Sequence, residues 1–453
     1  MQINQPHGEE HDKGFLQSAT AKIVMIGALA LVLLIPLQLV KNLISERAER
    51  QDEVVNEIQE KWGGSVYFSG PILKVPYNTY TVGSITDPKT GKAALQRIPT
   101  QHFAYFLPNE LNSAITVDTE KKNRNNYESV VFLSKNKLAG HYSTPDFSSR
   151  KIASDDIAWD KATFIVKTNN IKSIKGNIAI ATGGRSMAFE PTAAEERDTI
   201  ATLETAPLDA RSLFATGRSA FQMEVNYAGS GEFQMVPIGK LTSVTMASNW
   251  AAPSFDGNFL PEQKQITANG FNASWRISSL NRAFPQQFFG ALPNLSEFAF
   301  AVKFVIPIDE YQQNERAVKY GFLVIGLTFL VFFLIQAVNK INIHIFQYGM
   351  IGLALVMFYT LLISITEHSS FRLAYLIAGI AVVAMIGLYS LSILRKGKFA
   401  AFITAALSAL YGFIYIIIQL ENYALLAGSI GLFLILGAVM YFSRKIDWNS
   451  SQV

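Results

Sequence analysis

Hydrophobic positions along this chain follow two regimes. From Lys22 to Val40 (KIVMIGALALVLLIPLQLV), and again in five blocks after residue 319, apolar residues run almost without a break. The later blocks are Tyr320–Val338, Tyr348–Ile365, Ala374–Leu394, Phe399–Leu420 and Ala424–Phe442, and none contains Asp, Glu, Lys or Arg. A helix needs roughly 20 such residues to cross hydrocarbon, so each run predicts a membrane span. The connections after residue 338 are too short to fold by themselves, which predicts an antiparallel bundle. Lys13 and Lys22 precede the first run as they would in a signal peptide. Its small-x-small triplet, Ala28-Leu29-Ala30, however, lies inside a long apolar run, so an uncleaved anchor is predicted, with a kink at Pro36. Tyr320, Tyr348, Tyr375, Tyr389, Tyr423 and Tyr441 fall near span ends, where amphipathic rings favour the headgroup layer. Gln336 and Gln419 are expected at the same interface. Glycines 321, 326, 428 and 431 suit close helix packing.

Between the first two spans the period shortens. Ile44, Ala48, Val55, Ile58 and Trp62 recur at helical spacings and stop at Gly63-Gly64, predicting an amphipathic helix that continues the first span and lays its stripe on the following sheet. Beyond it the period is two. SEFAFAVKFVIP places Phe298, Phe300, Val302, Phe304 and Ile306 on one face. SAFQMEVNYAGSGEFQMVPI alternates from Phe221 to Tyr227, breaks at Gly229-Ser230-Gly231 and resumes at Phe233, which predicts a hairpin. HFAYFL, ESVVFL, ATFIVKT and SWRI add short strands, with Asp87-Pro88 and Gly183-Gly184 as turns. The expected fold is therefore a membrane protein of six transmembrane α-helices, an N-terminal anchor plus a five-helix C-terminal bundle, with a large β-rich antiparallel domain between them, built as two packed sheets.

Basic residues set the direction of insertion. With the N-terminus in the cytoplasm, inner connections receive Lys340, Arg395-Lys396-Gly397-Lys398 and Arg444-Lys445, while the short outer ones hold only Arg372. The predicted partition is a disordered cytoplasmic tail (1–21), the anchor (22–40), an exported helix and β domain (41–319), five spans (320–442) and a cytoplasmic tail (443–453). Charged residues form only 16% of the chain and the net charge is +4, which gives no reason to expect nucleic acid as a partner. Cysteine is absent, which excludes disulfides, thiolate nucleophiles and cysteine-based metal sites.

Fragments that imitate catalytic motifs fail on context. Ser134-Lys135-Asn136-Lys137 and Lys89-Thr90-Gly91 match pieces of the penicillin-binding signature in reversed chain order, and SKNK reads as a surface turn. Asp87–Gly91 reads as a polar hairpin tip, and Gly83 with Gly91-Lys92 has the wrong spacing for a phosphate loop. The six histidines form no metal-ligand pattern, so neither metal nor cofactor is expected; His7 and His11, flanking Glu9-Glu10, read as part of a solvated tail. Two groups stand out as binding candidates. Glu367 and His368 end a span with an acid beside a base at the predicted outer interface. Asn249, Trp250, Pro253, Ser254, Phe255 and Asp256 mix aromatic, polar and turn-forming residues as binding loops do.

LLIPLQLVKNLISERAER at the first span, SGPILKVPY and FAYFLP, LTSVTMASNWAAPSFDGNFLP in the domain, NERAVKYGFLVIGLTFLVFF at re-entry, GLALVMFYTLLISITEHSSF and the closing RKIDW together resemble the CreD family of bacterial inner-membrane proteins. The resemblance runs in order from about Ile23 to Trp448 and is weakest from about Asn112 to Thr216. It implies a multi-pass bacterial inner-membrane protein, so that the charge bias would put both termini in the cytoplasm and residues 41–319 in the periplasm. It also implies a role in cell-envelope integrity, tied to a two-component regulon and to tolerance of β-lactams and colicins. It supplies no catalytic residues. The Glu367-His368 pair matches a family pattern in which Thr366 replaces serine. The expectation is a non-enzymatic protein that presents its β domain for binding or stress response, with membrane lipids and a periplasmic or membrane protein, such as a sensor kinase, as partners. The alternatives are an interfacial enzyme on lipid or cell-wall substrates using His368 and Glu367, or a regulator of the sensor kinase.

Overall fold

A computed structural model describes residues 19–86, 93–124, 127–192, 200–304, 306, 310–339, 341–394, 396–420 and 423–444. The tail histidines His7 and His11, the Asp87–Gly91 segment with Lys92, and the basic residues Lys340, Arg395 and Lys445 lie outside these. The chain divides into two compact units, residues 53–307 and residues 1–52 with 308–453.

The first unit is built on strands β1 (Val66–Thr86), β2 (Ala93–Phe106), β3 (Glu110–Arg124), β4 (Tyr127–Ser143), β5 (Thr163–Thr168), β6 (Ile174–Thr182), β7 (Arg185–Pro191) and β8 (Ala201–Thr205). It continues with β9 (Arg218–Ser230), β10 (Glu232–Met235), β11 (Leu241–Ser248), β12 (Pro253–Gly257), β13 (Gln263–Thr267), β14 (Gly270–Ser278), β15 (Gln287–Phe289) and β16 (Phe300–Phe304). Hydrogen bonds run unbroken in the order β12-β16-β10-β1-β5-β8-β7-β6-β9-β4-β3-β11-β14-β13, with β2 attached to β1 and β15 to β2. Pairing is antiparallel except at β1–β10 and β3–β11, which are parallel. Strands distant in that order nevertheless touch through their rings: Trp275 stacks on Phe300 at 4.7 Å, and Phe132 meets Phe304 at 5.0 Å. Tyr142 lies 5.6 Å from Phe164. The sheet is thus folded over on itself as two layers, and their facing side chains form the core. Alternation supplies that core directly, because every second residue of β9, from Phe221 to Tyr227, is buried while the residues between face outward.

Two sequence expectations for the β unit need correction. The strands flanking Gly229-Ser230-Gly231 do not pair with each other: β9 bonds to β4 and β6, whereas β10 bonds to β1 and β16. Gly231, at φ +70°, lets the chain leave one layer for the other. Phe233 and Met235 are fully buried, so the alternation correctly marked an inward face but not the neighbouring strand. Ser134–Lys137, expected as a surface turn, lies in the middle of β4; Ser134 and Asn136 point inward, and the Ser113 hydroxyl donates to Asn136 Oδ1 at 2.6 Å. Polar residues at inward positions disguised the strand. Gly183-Gly184, both at positive φ, do close a hairpin between β6 and β7.

Helix α1 runs continuously from Ala19 to Trp62, with Pro36 inside it. It ends where the Gly63 and Gly64 N–H groups both bond to Gln59 O, at 2.9 and 2.7 Å, with both glycines at positive φ. Its last turns belong to the β unit, where Trp62 Nε1 donates to Phe132 O at 3.5 Å and Glu57 pairs with Arg124 and Lys61. Those two cations, Arg124 first, hold the Glu57 carboxyl down from its ordinary 4.5 to about 2. Within the β unit there is also one short α-helix, α2 (Ala210–Leu213), capped by the Asp209 carboxylate.

The second unit holds the short α3 (Glu310–Lys319), then α4 (Gly321–Asn339), α5 (Ile345–Thr366), α6 (Phe371–Leu394), α7 (Gly397–Gln419) and α8 (Ala424–Ser443). With α1, six helices among the described residues are long and apolar enough to cross a membrane. Tyr348 and Tyr375, expected at the headgroups, are instead buried inside the bundle. The Tyr348 hydroxyl donates to Gln336 Oε1 at 3.1 Å and that of Tyr375 to Tyr411 O at 2.8 Å. Gln336, likewise expected at the interface, is buried as the acceptor of that bond. A hydroxyl or amide removed from water needs such a partner. Of the glycines expected at helix contacts, Gly321 lies against Leu37 and Gly431 against Phe413, while Gly326 faces open space. At Gly352 α1 approaches α5 closely: a Cβ there would sit 2.1 Å from Leu33 Cδ1 and 3.0 Å from the Phe329 ring.

Gly352→Val is accordingly expected to lower the stability of the detergent-solubilised protein by about 1–3 kcal/mol through overpacking, and Leu33→Ala should restore part of the loss in thermal unfolding. The depressed Glu57 value means that its contribution is present above pH 4.5 and is lost as pH falls toward 2. Glu57→Gln should flatten that part of an acid titration of unfolding; because the group is solvent-exposed, added salt should flatten it as well.

Candidate functional site

Glu367 and His368 form the turn that ends α5. Glu367 is the C-cap residue, its N–H bonded to Ile363 O at 3.1 Å, and the His368 N–H bonds to Ile365 O at 3.0 Å. The Glu367 carboxylate faces Arg47 of α1, with Nε 3.3 Å from Oε1, and both side chains are partly exposed. No hydrogen bond joins this carboxylate to the His368 imidazole among the described residues, and His368 is exposed. The arrangement ties the anchor helix to the bundle through the Arg47–Glu367 pair.

The Asn249–Asp256 segment lies in the β unit, and the structure divides it. Asn249 Oδ1 accepts from the Thr119 N–H and hydroxyl, both at 2.8 Å, and its Nδ2 donates to Thr119 O at 3.1 Å. Trp250 Nε1 donates to Ala252 O at 2.9 Å. Pro253, Ser254, Phe255 and Asp256 belong to β12, an edge strand paired only with β16. Phe255 packs edge-on against Phe271 and Trp275 at 5.6 and 5.9 Å. Asp256 pairs with Lys303 across the strands, and that ammonium holds the Asp256 carboxyl below its usual range. Phe255 is thus an anchor into the core, Asp256 a cross-strand partner and Asn249 a brace on the end of β3.

An open surface of the β unit is the outward face of β6, β9, β4, β3 and β11. A concavity of about 700 Å³ lies across it, floored by short side chains such as Ala139 and Ala181 and edged by Asn112, Gln222, Lys137 and Glu224. Lys137 and Glu224 are direct cross-strand partners, as are Ala139 and Gln222. The same face continues over β11, β14 and β13 as smaller hollows of about 510 and 280 Å³, the second lined by Asn249. Sequence reasoning passed over this surface because it looked for rare residue types. The available signal was the outward half of the alternation, Asn112-x-Ala114-x-Thr116 and Lys135-x-Lys137-x-Ala139, where small residues leave a hollow.

Arg282 also escaped the sequence reading. It is buried, lies over the Phe284 ring at 3.9 Å and donates to the carbonyls of Phe284, Ile238 and Gly239 and to Gln286 Oε1. Burial lowers its guanidinium to about 10. Its role is to close a loop junction from inside, since removing one partner of such a group leaves the others unsatisfied. Among the described residues no group of three or more His, Asp or Glu is placed to hold a metal.

One apolar span, a large, mainly antiparallel β unit and five closing spans define a multi-pass membrane protein with a folded insertion between its first and second spans. The family model for "Inner membrane protein CreD" matches residues 18–449. A curated relative of that description from Escherichia coli (strain K12) is 29% identical over 431 residues, spanning 94% of this chain and 93% of the relative. The chain belongs to the CreD family of inner-membrane proteins.

If Arg47–Glu367 is a structural tie, Arg47→Ala and Glu367→Gln should each cost no more than about 1 kcal/mol in unfolding experiments. The double variant should cost less than the sum of the two, since the pair makes one interaction.

Proposed function

We propose that this protein is a non-enzymatic component of the bacterial cell envelope whose β unit faces the periplasm and binds an envelope component on its concave sheet face. The observation that carries the reading is that face: a hollow of about 700 Å³ in a hydrogen-bonded sheet, with amides, one lysine and one glutamate around a floor of alanines. Donors and acceptors of that kind suit a polar, extended ligand, and the short floor residues let it approach the backbone. The name of the E. coli relative supports the compartment, and the excess of Lys and Arg in the connections assigned to the cytoplasm supports the orientation. The pairing of Glu367 with Arg47 argues against the enzymatic alternative, in which that carboxylate would serve His368.

Alkaline phosphatase fused at Thr216 should be active and at Lys396 silent; the reverse pattern inverts the orientation. In a strain lacking the chromosomal copy, Ala139→Arg and Ala181→Trp should reproduce the null strain's sensitivity to detergents, β-lactams or osmotic shock at normal protein levels. Full complementation by both would remove the face from the proposal. His368→Gln is expected to complement fully, and its failure to do so would favour the interfacial enzyme.

A further inference from the structure

Helices α4 and α8 each touch α7 but leave a cleft of about 970 Å³ among the three, and its walls are apolar from Leu327 and Phe413 at one end to Val338 and Phe442 at the other. Its polar lining is concentrated where α4 ends and α7 begins, at Asn339 and Lys398. No residue of α8 is buried. The rim near Lys398 carries further cations: Lys396 lies over the Phe399 ring at 5.8 Å and Arg444 over the Tyr441 ring at 4.0 Å. No carboxylate among the described residues pairs with Lys396, Lys398 or Arg444.

We propose that this cleft is a binding site for one anionic phospholipid, with its acyl chains between α4, α7 and α8 and its phosphate at Asn339 and Lys398. The cleft volume lies at the upper end of ordinary ligand sites, which span about 300–1,000 Å³, so it admits long chains and not merely a neighbouring side chain. An apolar trough with cations at one end matches an amphiphile whose single charged end is negative. A second copy of this chain fits less well, because a symmetric contact through the cleft would bring the same cations together. The stacked rings hold Lys396 and Arg444 at headgroup depth, where aromatic side chains settle. The lipid would complete the contact between α8 and the bundle that side chains leave open. The proposal does not depend on which side of the membrane the β unit occupies.

The test is native mass spectrometry of the full chain, released from micelles doped with phosphatidylglycerol or with phosphatidylcholine. Retention of one phosphatidylglycerol in clear preference to phosphatidylcholine is expected. Lys398→Gln should reduce that retention about five-fold, the worth of one cation near an anionic surface, while Lys319→Gln on α3 leaves it unchanged. Ala406→Trp, which fills the cleft from α7, should abolish it. Equal retention of both lipids, or retention insensitive to both Lys398→Gln and Ala406→Trp, would overturn the site. A dimer that dissociates in Ala406→Trp would assign the cleft to a second copy instead.

Discussion

Lipid offers a polar group no water to bond with, and the rest of this molecule is arranged around that constraint. It makes the spans long, uncharged and helical, since only a helix satisfies its own backbone. It also accounts for what several polar side chains inside the bundle do, although the Thr328 and Tyr411 hydroxyls are enclosed with no partner among the described residues. Tyr348 bonds Gln336 on the neighbouring helix, Tyr375 bonds the Tyr411 carbonyl, and Thr366 and Ser390 return their hydroxyls to the carbonyls of Leu362 and Ile386. Each pairing across helices fixes a rotation that apolar packing alone would leave loosely specified. Apolar contact then does its work at glycines, where Leu33 and Leu37 of the anchor sit against Gly352 and Gly321.

The β unit solves a different problem with water on its outside. Its long strands can satisfy their backbones only by pairing, and their apolar halves only by facing another layer. Folding one hydrogen-bonded sheet over on itself achieves both, with rings such as Trp275 and Phe300 filling the interior. The cost is local: the Ser134 hydroxyl and the Asn136 amide nitrogen are enclosed without a partner among the described residues, which is where ordered water would be expected. A sheet held this firmly keeps its outer face in one shape, which suits recognition of a ligand better than chemistry requiring movement.

The spans were legible because a run of roughly 20 uncharged apolar residues has one stable solution in a membrane. Strand positions were legible for a similar reason: alternation reports which side chains turn inward. It does not report which strand lies alongside, so the segments around Gly231 read as a hairpin although they join different layers. Tyrosine is ambiguous in the same way, because a ring with a polar tip suits a headgroup layer or a buried partner equally. Tyr423 and Tyr441 are exposed near span ends, while Tyr348 and Tyr375 are inside the bundle. At Glu367 the sequence shows an acid beside a base, whereas the carboxylate's ion-pair partner, Arg47, lies near the other end of the chain. No local pattern carries that information.

The ends of the sheet bear on where a ligand can dock. An unpaired strand edge is an adhesive surface, and a protein that used strand addition for binding would keep one edge open and apolar. Here β12 begins at Pro253, is held to β16 by the Asp256–Lys303 pair and turns Phe255 into the core. At the opposite end, β13 reads QKQIT with every residue exposed, so its edge carries amides, a lysine and a single apolar side chain. Both ends of the main strand order are therefore poor templates for an added strand, and the third edge, β15 on the β2 branch, is only three residues long with Phe288 and Phe289 packed on the core. That leaves the faces, and of these the inner one is filled by the core. The outer face, where alanines at 114, 139, 179 and 181 keep the backbone accessible, is the part of the β unit best shaped to meet a partner.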